Sequence, residues 1–260
     1  MNSDICKLKY SKNQPTIEKI TDDLSSLVTA NNLDFDSQYN IVKLTKHNSN
    51  IIGNLMLHDD DCIQFSEIIF KSFSKDDIIK NNNKSLICVL RELDRDNNTN
   101  VWRYKKNRDG MSAILDYIVD PRNSFFDRLC MGDINLPDDL VEVGGTRIKS
   151  FASKVCKYLS IYMFDKDNYY INDSYIRQAL LYYLDYYNAD KFITDGKELT
   201  NGSQINNLTY KELYNLLEQL RYKSENLTRD EIDHIIWYCY RSFDILWYKA
   251  DTYYLHIFHS

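Results

Sequence analysis

The chain has 260 residues, enough for one large domain or two modest lobes around a shared core. Hydrophobic residues make up 43% and charged residues 27%, with 7 glycines and 3 prolines, a composition that predicts a globular fold of long regular elements, helices above all. The net charge of −6 excludes a uniformly basic nucleic-acid binder, and no apolar run approaches the roughly 18 residues that a membrane span requires.

Residues up to about 50 read as polar helix and loop, and residues 51–57 have the apolar content of a short strand. Asn- and Asp-rich seams at 80–85 and 94–100 read as loops between helices. Residues 111–119 are apolar at helical spacing and have to stop before Asp120-Pro121. Residues 137–143 form a short helix candidate ending at Gly144-Gly145. From about residue 147, Ile148, Phe151, Ala152, Val155, Leu159, Tyr162 and Met163 recur at threes and fours, which predicts a strong amphipathic helix. Another helix starts at Asp173-Ser174 and carries Ile176, Ala179, Leu180 and Leu184.

Two later helices have matched starts. Thr209 and Glu212, and again Thr228 and Glu231, have the spacing of capping boxes, in which the Thr hydroxyl and the Glu carboxylate each take a backbone N–H. Each box has an apolar residue just before it (Leu208, Leu227) and another at the fourth helical position (Leu213, Ile232). The final helix is expected from Arg229 to about Tyr248, with a core stripe from Ile232 through Ile236 and Cys239 to Trp247. No repeat is present. The expected organisation is mainly α-helical, with an N-terminal helical lobe over 1–100 and a second lobe over 101–260 that holds the amphipathic helix, a cleft lying between them.

The six cysteines are widely spaced and form no C-x-x-C pair, which favours free buried thiols over a zinc site or disulfide framework. The opening MNSDICKLKY lacks the apolar core of a signal peptide, and a cytoplasmic location is expected. His58 followed by Asp59, Asp60 and Asp61 reads as a polar loop, since consecutive residues rarely converge on one ion. His256 and His259 make a pair without further partners. No metal and no cofactor are expected. The abundance of Tyr follows the general Tyr, Asn, Lys and Ile bias, and Tyr169-Tyr170 reads as core packing rather than as a base-stacking shelf.

Residues 141–180 depart from the acidic background. They hold six basic side chains (Arg147, Lys149, Lys154, Lys157, Lys166, Arg177) against four acidic ones (Glu142, Asp165, Asp167, Asp173). An acidic body with one locally basic face is compatible with DNA binding that weakens quickly with salt. Trp102, Arg103, Lys105 and Lys106, in a stretch that also holds Tyr104 and Arg108, form a basic run with interleaved aromatics. Such a run is suited to a phosphate backbone or an opened base step, or else is a solvated loop with an anchoring Trp.

Within that window Asp173 follows Lys154 by 19 residues. If residues 165–172 turn the chain back, the start of the second helix returns to the first turn of the previous one, and Lys and Asp face one cleft. Breaking an N-glycosidic bond builds positive charge on the sugar, which a fixed carboxylate stabilises. A lysine amine attacks the sugar carbon and forms a Schiff base. The amine has to be partly neutral; burial and nearby positive charge favour this, and a close carboxylate opposes it. Taken alone, Lys154 reads as a solvated residue beside an apolar face and Asp173 as a helix N-cap. Pattern and spacing together carry the catalytic reading.

This segment resembles the helix-hairpin-helix region of the 8-oxoguanine DNA glycosylases over about 35 residues. There a G-x-G hairpin is followed by a small residue and the catalytic Lys, then a helix, an extended turn, and a catalytic Asp at the next helix start. Ser153-Lys154 matches the small residue and Lys, and Ile171-Asn172-Asp173-Ser174 matches the approach to the Asp. The resemblance implies a two-lobed helical glycosylase fold, with Lys154 and Asp173 catalytic. It implies action on double-stranded DNA carrying an oxidised or otherwise modified, flipped-out base, with or without strand cleavage by β-elimination. It places DNA contacts at residues 150–153 (Ser150, Phe151, Ala152, Ser153), flanked by Arg147 and Lys149, and needs no cofactor. Ser150 and Ala152 stand where the family has its hairpin glycines, which permit positive φ and close approach to a phosphate. Gly144-Gly145 lies too far upstream to replace them in register. That departure supports a rival, a helical scaffold that binds nucleic acid or protein without catalysis. A second rival is a glycosylase of the same fold directed against hypermodified bases in invading DNA.

Overall fold

The computed structural model describes residues 17–39, 41–58, 83–96, 99, 101, 108–145, 148–193, 196–200 and 202–241. These form eleven α-helices and one two-stranded ladder, so the chain is mainly α-helical as its composition predicts. The described residues separate into two compact units, each discontinuous in sequence.

One unit comprises Met56–Asp173 and Thr209–Tyr214. Its helices are α3 (Asn83–Asp96), α4 (Arg108–Val119), α5 (Phe125–Met131), α6 (Leu136–Gly144) and α7 (Lys149–Phe164), joined by the first turn of α10 (Tyr210–Lys223). The boundaries follow local chemistry. Helix α4 ends where Asp120 caps a short 3-10 turn, Pro121–Asn123, its carboxylate accepting the Arg122 N–H. Helix α5 ends at Gly132, whose left-handed φ of 74° no β-substituted residue would take readily. Helix α7 is central and packs against α3, α5 and α6. Ten of its sixteen residues are buried, more than a one-sided amphipathic stripe would cover. Leu86, Leu90 and Leu93 of α3, Ile114 of α4, Phe125 and Leu129 of α5 and Leu140 of α6 complete the core around it. Arg128 ties three helices together. Its guanidinium donates to Asp133 (2.8 Å), to the Tyr117 hydroxyl (2.7 Å) and to Asp139 (2.6 Å).

The other unit comprises Met1–Leu55, Ser174–Leu208 and Asn215–Ser260. It contains α1 (Ile17–Asn31), the ladder β1 (Phe35–Asp36) and β2 (Ile41–Val42), α2 (Lys46–Leu57), α8 (Ser174–Tyr186), α9 (Gly202–Asn207) and α11 (Arg229–Arg241). The ladder is antiparallel with Phe35 opposite Val42, and α8 packs against α9 and α11. Tyrosines of α8 and just beyond hold the ladder: Tyr183 donates its hydroxyl hydrogen to the Val42 carbonyl (2.8 Å), and the Tyr187 hydroxyl accepts the Leu44 N–H (2.7 Å).

Three expectations are corrected. Residues 51–57 are the latter part of α2, not a strand. The helix begins at Lys46, and buried Asn48 anchors its first turn through the Asp34 and Lys43 carbonyls and the Asp34 N–H. The Asn-rich seam at 80–85 is helical from Asn83, and the seam at 94–100 is helical to Asp96. A break near residue 100 does not coincide with the division observed, because the N-terminal segment joins segments from the C-terminal half in one unit. Both capping boxes form as expected: the Thr209 N–H donates to Glu212 (2.9 Å) and the Thr228 N–H to Glu231 (2.6 Å), with reciprocal Glu N–H to Thr hydroxyl bonds of 3.2 and 3.1 Å. The part of the final helix expected beyond Arg241, His256 and His259, and the run His58 to Asp61 apart from His58 itself lie outside the described residues.

Candidate active site

The connection from α6 to α7 turns at Gly144-Gly145. Gly145 has φ of 97°, and its carbonyl accepts the Ile148 N–H (3.2 Å). A Cβ on Gly144 would press on the ends of the Ile148 and Ile114 side chains, which would have to shift. Gly110 of α4 sits against the same turn; a Cβ on it would lie 2.5 Å from the Gly144 carbonyl oxygen. The turn is therefore five or more residues upstream of the position the resemblance implied.

The DNA contacts that the resemblance implies at Ser150, Phe151, Ala152 and Ser153 fall within a helix and not on a glycine hairpin. All four lie inside α7, and Phe151, Ala152 and Ser153 are fully buried. The physical reason is local: without glycine nothing there favours positive φ, and the helix runs on toward the glycines that do. Lys149 is the first residue of α7 and is half-buried. Trp102, Arg103, Lys105, Lys106 and Arg147 lie outside the described residues.

Helix α7 ends at Asp165, which adopts the left-handed conformation (φ 55°) usually left to glycine or asparagine. Its N–H bonds to the Ile161 carbonyl (2.8 Å) and that of Lys166 to the Ser160 carbonyl (3.3 Å), which reverses the chain. Residues 165–173 then run back along α7 without regular structure. Their polar groups are met by side chains of the helix. The Ser160 hydroxyl donates to the Lys166 carbonyl (2.8 Å). Lys157 Nζ donates to the Tyr169 carbonyl (3.4 Å) and to Asp167 Oδ1 (3.4 Å). The Ser153 hydroxyl accepts the Asn172 N–H (2.8 Å) and donates to the Ser150 carbonyl (2.9 Å). Ser153, Lys157 and Ser160 recur at helical spacing and are 0%, 1% and 0% exposed, so they form a buried polar stripe. Further anchors come from α5, α10 and Asp133: Lys166 Nζ donates to the Cys130 carbonyl (2.7 Å), the Tyr169 hydroxyl to the Asp133 carbonyl (3.3 Å), and the Tyr210 hydroxyl both accepts the Tyr170 N–H (2.8 Å) and donates to its carbonyl (3.0 Å).

The last rung of this ladder defines the site. It joins the backbone of Asn172 to the side chain of Ser153, and Lys154 and Asp173 each stand one residue away from that bond. Both are buried, at 8% and 6% exposure, and Asp173 directly precedes α8. A buried lysine and a buried carboxylate held by one bracket are the side-chain types that imine chemistry on a sugar carbon uses. Cys156, two residues from Lys154, does not compete as a nucleophile: burial pushes its thiol well above the ordinary range. Tyr169 and Tyr170 are fully buried, so they are core and not a surface for stacking a base.

Sequence reasoning singled out Lys154 and Asp173 but passed over Lys157, Ser160 and Asn172. The signal was available, because polar residues at 153, 157 and 160 share a helix face at the spacing used for apolar cores. Among the described residues no three His, Cys, Asp or Glu side chains converge as a metal site would require, and no helix is long and apolar enough to cross a membrane. Comparison of the chain with protein families, with curated proteins and with solved structures returns no match.

Proposed function

We propose that the chain is a DNA base-excision glycosylase acting on an oxidised or otherwise modified base flipped out of duplex DNA. Lys154 is the nucleophile and Asp173 its acidic partner. The observation that supports this most is the Asn172 to Ser153 hydrogen bond, which pins the residues adjoining both groups to one another. In the reaction the neutral Lys154 amine attacks C1′ as the bond to the base breaks. The base leaves with the bonding electrons and takes up a proton. The Asp173 carboxylate stabilises the positive charge on the sugar and accepts a proton from the attacking amine. Opening of the sugar ring then gives a Schiff base between C1′ and Nζ, which water hydrolyses or which loses the 3′ phosphate by β-elimination.

The test is borohydride trapping on duplex DNA bearing one 8-oxoguanine, with wild type beside Lys154→Gln. Hydride reduces the Schiff base to a stable secondary amine. A covalent adduct with wild type that is lost in Lys154→Gln is expected. No adduct and no alkali-labile strand with wild type removes oxidised guanine from the reading. A panel of hypermodified bases then tests the same mechanism on other targets.

One observation favours a second reading, a helical scaffold that binds nucleic acid or protein without catalysis. The segment 150–153 is helix, with Phe151, Ala152 and Ser153 buried, where the family resembled has a glycine hairpin that meets DNA phosphate. Duplex binding that persists in Lys154→Gln, with no adduct on any base of the panel, would support it.

A further inference from the structure

Lys157 is more deeply buried than Lys154, at 1% exposure against 8%. A lysine in a core is costly, and an apolar side chain of the same length would serve packing better. What the ammonium supplies is geometry. It is the middle rung of the ladder that holds residues 165–173 to α7, between the hydroxyl rungs at Ser160 and Ser153. It takes hold of two residues of the returning segment, through the Tyr169 carbonyl and the Asp167 carboxylate. On α7 it lies one turn beyond Lys154, where side chains three apart are neighbours.

We propose that Lys157 is a positioning residue for the Lys154 and Asp173 pair, clamping residues 167–172 against α7 so that Asp173 is presented at a fixed place. This rests on the reading of Lys154 and Asp173 given above. Lys157 itself does not touch the reacting sugar. Its loss allows the middle of the returning segment to lift from the helix, and the carboxylate at the end of the segment loses its register with the amine.

The probe is duplex DNA with one abasic site, whose ring-opened form bears the aldehyde at C1′ and needs no knowledge of the excised base. The neutral Lys154 amine adds to that aldehyde and water leaves, so that borohydride delivers hydride to the resulting imine carbon. Single-turnover adduct formation at saturating protein is compared with duplex affinity and thermal unfolding for wild type, Lys157→Met, Lys157→Arg and Asp167→Asn, with Lys154→Gln as background. Lys157→Met is expected to slow adduct formation at least roughly tenfold, as misplacements of about 1 Å do, while affinity stays within roughly twofold. Lys157→Arg, which keeps a charged donor, is expected to recover most of the rate. A Lys157→Met rate equal to wild type, a parallel fall in rate and affinity, or an Arg variant no faster than Met overturns the proposal. If Lys157→Met does not fold, Asp167→Asn decides: its carboxylate is partly exposed, and a several-fold slower adduct at unchanged affinity supports the clamp, whereas a wild-type rate overturns it. A wild type that forms no adduct above the Lys154→Gln background sinks the nucleophile reading itself and this proposal with it, an outcome distinct from the others.

Discussion

Helix α11 begins at a complete capping box, with Thr228 and Glu231 each satisfying the other's backbone N–H. Helix α7 begins with no side-chain cap, its N-cap position being held by Ile148. The first start is specified within four residues of sequence. The second is specified from a distance: by Gly110 of α4 lying against the Gly144 carbonyl, and by a returning segment bonded to Ser153, Lys157 and Ser160. A helix that carries its own start signal tolerates change elsewhere. A helix placed by its neighbours transmits their displacement to its first turns, and Lys154 lies in those turns.

That contrast can be broken at four points. Gly110→Ala should do the most damage, because the backbone carbonyl it meets cannot swing aside as a side chain would. We expect a loss of about 3 kcal/mol, seen as a fall of roughly 6–12 °C in the thermal midpoint. A midpoint unchanged by this substitution would show that the α6–α7 turn is not fixed by α4. Ser153→Ala comes next. It leaves the buried Asn172 N–H without its acceptor, at a cost of about 2 kcal/mol. If the hydroxyl is the bracket of the site, trapping on modified DNA slows as well; stability lost with trapping untouched would separate the two roles.

Thr228→Ala measures the locally specified start. The expected cost is about 1 kcal/mol, read from the urea midpoint, with no change in trapping. The smallest effect is electrostatic. Burial alone would raise the Glu231 carboxyl, but hydrogen bonds from Lys46, the Thr228 N–H and Ser49, with the Lys46 charge, outweigh it and hold the group below the ordinary glutamate value. Its contribution is therefore complete above about pH 4.3 and is lost as pH falls through the lower folded value. Glu231→Gln should flatten the acid limb of the stability curve by a small margin; an unaltered acid limb would mean that the Lys46 pair contributes nothing.

Much of the fold was legible because the helices announce themselves. The apolar spacing of 111–119, the glycines after residue 143 and the two Thr-x-x-Glu boxes each correspond to a helix boundary within one to three residues. Residues 51–57 misled because seven apolar-rich residues are too few to separate a strand from the end of a helix, and the start of that helix is set by Asn48 bonding to the chain around Asp34. The division into units was not legible, since it depends on which segments pack together and not on any linker. In the candidate site, Lys154 and Asp173 were singled out through their spacing. Lys157 was passed over because a charged residue on a helix is expected to face water. The glycine turn after residue 143 was located, but it was set aside as a counterpart of the family's hairpin because it lies out of register with it.

The phenol of Tyr210 serves Tyr170 as a neighbouring strand would, taking its N–H and giving a hydrogen to its carbonyl. The oxygen lies on the axis about which the ring turns, so a ring flip leaves both bonds in place. Exchange of the Tyr170 amide proton with solvent then requires the packing itself to open, since both residues are buried. One amide resonance, followed in heavy water, would act as a clock for the opening of the whole α7 bracket.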